Sequence, residues 1–138
     1  KHNKRGYLKT LDSFRIRKAS ELDPIYKAFL RSMPYHLAYK NIFMVHAALN
    51  DNRAEYMYDY HSMIWERESK FVPKKYQYLI HGHVPVNLNS IKDSLVENKR
   101  HFSIDNGCVF ENEPGFGNLV ALELNCFDLV VQKRLDKI

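Results

Sequence analysis

Cysteine is scarce in this 138-residue chain: Cys108 and Cys126 are the only two. Both fall inside apolar, strand-like runs, so buried free thiols in a reducing compartment are expected, over a disulfide. That compartment would be the cytoplasm. No apolar run approaches the roughly 20 residues of a membrane helix, so no segment is expected to span a bilayer and no membrane partner is expected. The basic N-terminus, Lys1 to Arg5, is not followed by a hydrophobic signal region. Glycine is also sparse, and no Gly-rich phosphate loop is present. The chain has no G-x-S-x-G elbow, no C-x-x-C pair and no H-E-x-x-H. Its seven histidines and two cysteines lack zinc-finger spacing. Serine-hydrolase, dithiol-redox and zincin chemistry are therefore excluded at the level of motif.

What the chain does contain suits one folded domain without an internal boundary: 45% hydrophobic and 27% charged residues argue against disorder. The formal charge of +5 could favour an anionic partner. Its carriers are scattered, as Lys4-Arg5, Arg15, Arg17, Lys18, Lys74-Lys75 and Lys99-Arg100. Scattered charge reads as a solvated surface, which disfavours dedicated nucleic-acid binding.

Residues 1–19 have no clear period. Ser20-Glu-Leu-Asp-Pro24 announces a helix, because Asp23 or Ser20 can cap it and proline is tolerated at its first position. Leu22, Ile25, Tyr26, Phe29, Leu30 and Met33 follow as one apolar stripe, expected to be core, and Pro34 ends it. Ile42–His46 is short and continuously apolar, which predicts a central strand. Asn50-Asp-Asn52 predicts a loop and cap. A helix is expected over 53–68, with Tyr56, Met57, Tyr60, Met63, Ile64 and Trp65 inward. Tyr76–His81 is a second strand, and Gly82-His83-Val-Pro85 a tight exposed loop. Strands are expected at Phe102–Asp105, Gly107–Phe110, Leu119–Leu124 and Phe127–Gln132, with turns at 111–117 and Asn125-Cys126. The class is α/β with an antiparallel extension.

Two of these strands stop at histidine. Sites in open α/β sheets lie beyond the carboxyl ends of strands, and neutral imidazole suits Zn, Fe, Cu and Ni. His46, followed by the small Ala47-Ala48, is one candidate. Of His81 and His83, separated by Gly82, one is expected to be a ligand and the other a supporting residue. Asp105 ends a further strand, although Asn106-Gly107 beside it explains the segment by turn chemistry alone. Asp51 and Asp59 are further carboxylates, more simply a cap and an exposed helix position. Arg67 stands where a helix ends, and arginine beside a metal forks onto phosphate oxygens.

Val45-His-Ala-Ala-Leu49, Trp65-Glu-Arg67, His81-Gly-His-Val-Pro85 and Ile104-Asp-Asn-Gly107 occur in that order. Together they resemble the C-terminal half of calcineurin-like metallophosphoesterases, in the bacterial phosphoprotein-phosphatase branch. The family pattern is V-H-A-G-L, W-x-R, H-G-H-T-P and I-D-T-G. Leu119-Val-Ala-Leu-Glu-Leu124 is similar to its last strand, and Thr10-Leu-Asp-Ser-Phe14 to the segment before its first helix. Pro85 stands where other branches carry a second histidine. Ala48 replaces a glycine and Asn106 a threonine.

The resemblance implies half of a two-sheet αββα sandwich. It implies two divalent ions (Mn, Fe or Zn) in the complete enzyme, one of them ligated by His46 and His83. Arg67 would hold the substrate phosphate, with His81 and Asp105 in supporting positions and no catalytic acid or base within this chain. The activity implied is hydrolysis of phosphomonoesters, phosphoserine or phosphothreonine in proteins first, with dinucleoside polyphosphates and other small phosphoesters also open. The family's G-D-x-H-G, G-D-x-x-D-R-G and G-N-H-E are absent. The expectation is therefore a fragment that pairs with a missing N-terminal half and is inactive alone. A degenerate, non-catalytic phosphate- or nucleic-acid-binding module is the alternative.

Overall fold

The computed structural model describes residues 4–50, 59–75, 77–110 and 112–135. The expectations for Asp51, Tyr56, Met57 and Tyr76 lie outside them. The chain divides into two compact units, residues 1–34 and 35–138.

The first unit contains helix α1 (Lys4–Ser13), a 3-10 turn (Ala19–Glu21) and helix α2 (Pro24–Ser32). Helix α1 was not legible in the sequence, since Tyr7, Leu8 and Leu11 are too few to set a period. It ends in a paired-bond stop: Arg15 N–H donates to Asp12 O and Ile16 N–H to Leu11 O, with Arg15 at φ 54°. Helix α2 starts as its sequence dictates, with Pro24 at the first turn and the Asp23 carboxylate accepting from Ile25 N–H at 2.8 Å. Its stripe is not core. Ile25, Tyr26, Phe29, Leu30 and Met33 are all exposed. Periodicity fixed the face but could not say what covers it.

The second unit is built on a four-stranded sheet, β1 (His36–Tyr39), β2 (Ile42–Val45), β3 (Tyr78–His81) and β4 (His101–Ser103), in that spatial order. Strands β2, β3 and β4 run parallel, and β1 is an antiparallel edge joined to β2 through Lys40-Asn41. Strands β5 (Asn118–Leu122) and β6 (Leu129–Lys133) form a separate antiparallel hairpin. The fold is thus mixed α/β with a mixed four-stranded and an antiparallel two-stranded sheet.

Alternation divides the core between the two faces of the main sheet. On one, Val45, Leu49 and Leu79 pack with Met63 of α3 (Tyr60–Trp65). On the other, Ile42, Ile80 and Phe102 pack with Leu122, Leu124 and Phe127 of the hairpin and Leu95 of α4 (Leu88–Val96). Helix α4 was unforeseen, though its signal exists: Asn87 caps by accepting from Asn89 N–H at 3.0 Å, and Leu88, Ile91 and Leu95 share a face.

Several expectations need correction. Tyr60 and Trp65 of α3 are exposed, and only Met63 and Ser62 are buried there. A six-residue helix makes fewer than two turns, so its inward face holds two positions rather than four. Gly107–Phe110 is a turn, because Gly107 takes φ 57° and Phe110 N–H bonds Gly107 O. Asn106-Gly107 therefore closes no hairpin. Cys108 and Cys126 are free, but Cys126 is exposed in the β5–β6 turn and Cys108 half-buried, so neither is a strand core residue.

Candidate metal centre

Because β2, β3 and β4 are parallel, the residues that follow them gather at one end of the sheet. His46 follows β2, Gly82-His83 follows β3 and Asp105 lies two residues past β4. Backbone bonds hold these ends in register. Gly82 N–H donates to His46 O at 2.9 Å, Ile104 N–H to His81 O at 2.9 Å and Val86 N–H to Asp105 O at 2.8 Å. Ala47 and Ala48, both buried, donate to Met63 O and Ser62 O at 2.8 and 3.1 Å. Their small side chains let the end of α3 close against the strand. Asp59 caps that helix, accepting from Ser62 N–H and Oγ.

The histidine pair is the result. His46 Nε2 and His83 Nδ1 lie 3.0 Å apart, their rings at 68°. One nitrogen must carry the proton and the other the lone pair, so the pair shares a single hydrogen. Two imidazole nitrogens on one zinc-like ion, each about 2.0–2.1 Å away, stand about 2.9 Å apart at a right angle and about 3.3 Å at a tetrahedral one. The observed spacing fits a pair of donors to one cation, whose binding would displace the shared proton. Among the described residues no group of three or more His, Cys, Asp or Glu could hold a metal.

His83 reaches this position through a strained backbone. Its φ is +67°, and Val84 N–H bonds back to Gly82 O at 2.8 Å, a γ-turn of the rare positive-φ kind. Such strain is held only where the surroundings impose it, and it clusters at functional sites. The loop is half-buried rather than exposed. Glycine adopts this φ at no steric cost, whereas alanine retains a penalty of about 1–2 kcal/mol. His83→Gly should therefore be more stable than His83→Ala by about 1 kcal/mol in urea titrations. Equal midpoints would mean that the turn is unstrained.

His81 does not join the pair. Its Nδ1 is 3.1 Å from Gly82 O, and its ring lies 5.0 Å from that of His101. Asp105 stands behind the loop: its Oδ1 accepts from Gly107 N–H at 2.8 Å, and Oδ2 faces Gly82. Its charge reaches His46. Arg67 is exposed, and the structure brings its guanidinium into no bond with the imidazoles. Trp65, within the same W-x-R run, does reach the site, its indole edge-on to His83 at 6.5 Å. The sequence placed Trp65 inward and in the W-x-R run without giving it a position at the site.

Burial lowers the pKa of His46, the neighbouring His83 charge lowers it further, and Asp105 opposes both. His81 is lowered by burial, opposed by its bond to Gly82 O. Both folded values lie below the unfolded one, about 6.5, so the unfolded chain binds more protons under that pH. Stability should be full above about 6.5 and fall as pH drops below it. The urea midpoint should thus be lower at acid pH, and His81→Gln should reduce the difference. A midpoint that rises on acidification would refute this.

No family model, curated protein or solved structure matches this chain. The resemblance therefore rests on its motifs, and the chemistry on the geometry above.

Proposed function

We propose that this chain is the C-terminal half of a calcineurin-like metallophosphoesterase domain of the phosphoprotein-phosphatase branch, with His46 and His83 ligating one divalent ion. One observation carries the reading. Two histidines from separate sequence motifs meet at 3.0 Å, beyond the carboxyl ends of adjacent parallel strands. The main sheet and the β5–β6 hairpin would be the C-terminal part of a two-sheet αββα sandwich, working in the cytoplasm.

The metal pair (Mn, Fe or Zn) would supply electrophilic stabilisation of a phosphoester, its remaining ligands coming from a missing N-terminal half. The residues of this chain bind and orient. His46 and His83 present lone pairs to one side, and Asp105 offsets positive charge at His46. His81 anchors the loop through Gly82, and Arg67, on the exposed run after α3, is free to fork onto substrate phosphate oxygens. The substrate class is phosphomonoesters, with phosphoserine or phosphothreonine in proteins first. A non-catalytic phosphate- or nucleic-acid-binding module is the competing reading.

The sequence upstream of Lys1 separates the two. It should contain G-D-x-H-G and G-N-H-E, and a protein that includes it should hydrolyse a chromogenic phosphomonoester with Mn²⁺. The 138-residue chain alone should show no metal-dependent turnover above buffer, because one imidazole pair binds metal weakly. An upstream sequence without these motifs would sink the enzyme reading.

A further inference from the structure

The cations that look scattered along the sequence divide unequally between the two compact units. Residues 1–34 carry nine Lys or Arg against three Asp or Glu, a net of +6, whereas residues 35–138 carry twelve against thirteen, a net of −1. The formal excess of positive charge therefore belongs to the first unit. The same unit holds the exposed face of α2, where Ile25, Phe29 and Leu30 are 69%, 62% and 53% exposed. Tyr26 and Met33 extend that face, and Arg31 stands on the opposite side. Tyr7, Leu8 and Phe14 add exposed apolar surface from α1 and its end, and Phe14 meets Tyr26 ring edge to face at 5.2 Å. Arg15, Arg17 and Lys18, in the connection to α2, are exposed as well.

We propose that residues 1–34 seat the protein on an anionic lipid surface. Helix α2 would lie in the plane of the interface, with Ile25, Phe29 and Leu30 at the boundary between headgroups and acyl chains. Arg15, Arg17, Lys18 and Arg31 meet the headgroup phosphates. A short helix with an aliphatic and aromatic face in a strongly basic setting has the composition of an interfacial element. Charge complementarity selects the lipid: each Lys or Arg near an anionic bilayer contributes about 1 kcal/mol, roughly fivefold in binding. Nucleic acid would use the same cations and could stack bases on Tyr26 and Phe29. It gains little from the aliphatic part of the face, Ile25, Leu30 and Met33, which only a lipid boundary would bury. A helix of nine residues is only about 13 Å long, far short of a bilayer core, so the contact is superficial. No helix among the described residues is long and apolar enough to cross a membrane. The sequence expectation of no membrane partner rests on that absence, which does not bear on a surface contact.

The inference is independent of the metal reading. It is tested by co-sedimenting the chain with vesicles of phosphatidylcholine alone or with about a third phosphatidylglycerol. The anionic vesicles should bind at least about tenfold more tightly, and salt should weaken them. Ile25→Glu/Phe29→Glu and Arg15→Glu/Arg31→Glu should each reduce that binding about tenfold or more, while His46→Ala leaves it unchanged. Circular dichroism of the variants should match the parent, since every altered side chain is exposed. Equal binding to both vesicles, or full binding by Ile25→Glu/Phe29→Glu, overturns the proposal. So does tighter binding to single-stranded RNA than to the anionic vesicles, which would make the unit a nucleic-acid module. Loss of vesicle binding when the upstream sequence is present also overturns it, because the face would then be covered by protein.

Discussion

Asn106→Ala should lower the stability of this fold by roughly 2–5 kcal/mol, as much as truncating a buried core aliphatic side chain. Asn106 is 2% exposed, and its amide is fully used. Nδ2 donates to Val86 O at 2.9 Å and to Gly115 O at 2.8 Å, while Oδ1 accepts from Asn118 N–H at 3.2 Å and Asn118 Nδ2 at 2.7 Å. One side chain thus ties the loop after His83, the 112–117 turn and the start of β5. Alanine leaves the Val86 carbonyl and the Asn118 N–H without this partner, at about 1–3 kcal/mol each where water cannot enter. Gly115 O keeps Leu88 N–H, and Asn118 Nδ2 keeps Phe116 O. Asn106→Asp should be no better, since it turns a carboxylate oxygen toward two carbonyls. Asn106→Thr, the residue of the family pattern, cannot supply four bonds and should recover only part of the loss. A melting temperature lower by about 10 °C or more is the expected reading for alanine. A shift of only a degree or two would mean that water replaces the amide. Because Val86 N–H also bonds Asp105 O, a weakened hub should loosen the loop that carries His83.

Under the proposed function, His46→Ala and His83→Ala should each reduce phosphomonoester hydrolysis by the longer protein on the order of 1000-fold, the loss expected when a metal that contributes several kcal/mol of charge stabilisation is no longer held. His46 is a solvent-accessible residue whose ring is only partly covered, so at neutral pH His46→Ala should change the urea midpoint little. His61, exposed on α3 one residue from the cap-bonded Ser62, is the control: His61→Ala should keep full activity. Unchanged turnover in either His46→Ala or His83→Ala would remove that residue from the ligand set. An Mn²⁺ requirement that rises for both variants in parallel would place them on one ion.

What the sequence made legible follows from which signals are local. Strands β2 and β3 were readable because a buried parallel strand needs a continuous apolar run, and both runs stop at the histidines that meet. The cap and proline that start α2 were equally local, as was the β5–β6 turn, where the Glu123 carboxylate gathers Asn125 and Cys126. That bonding holds the Glu123 carboxyl down at about 2 and pushes the Cys126 thiol up to about 11, so an exposed thiol stays protonated at neutral pH. Strand β1 was not readable, since Leu37 and Tyr39 at a solvent-facing edge have no burial to impose alternation. Helix α4 carries the same kind of local signal, the Asn87 cap and the shared face of Leu88, Ile91 and Leu95. The role of Asn106 could not be inferred, because its four bonds join segments up to 20 residues apart, and the sequence beside it matches a simple turn. The positive φ of His83 is likewise set by Gly82 and Val84 bonding around it, not by any preference of histidine. Arg67, in sequence the phosphate fork, lies near the site through Trp65 but is not itself brought to the imidazoles.

The claim that His46 and His83 serve one ion is tested most directly by following histidine side-chain NMR signals of this chain during Mn²⁺ titration. The signals of His46 and His83 should broaden together along one curve, ahead of His36 and His61, and His46→Ala should abolish the broadening of His83. Broadening of only one of the pair, or of His83 undiminished in His46→Ala, would contradict the account.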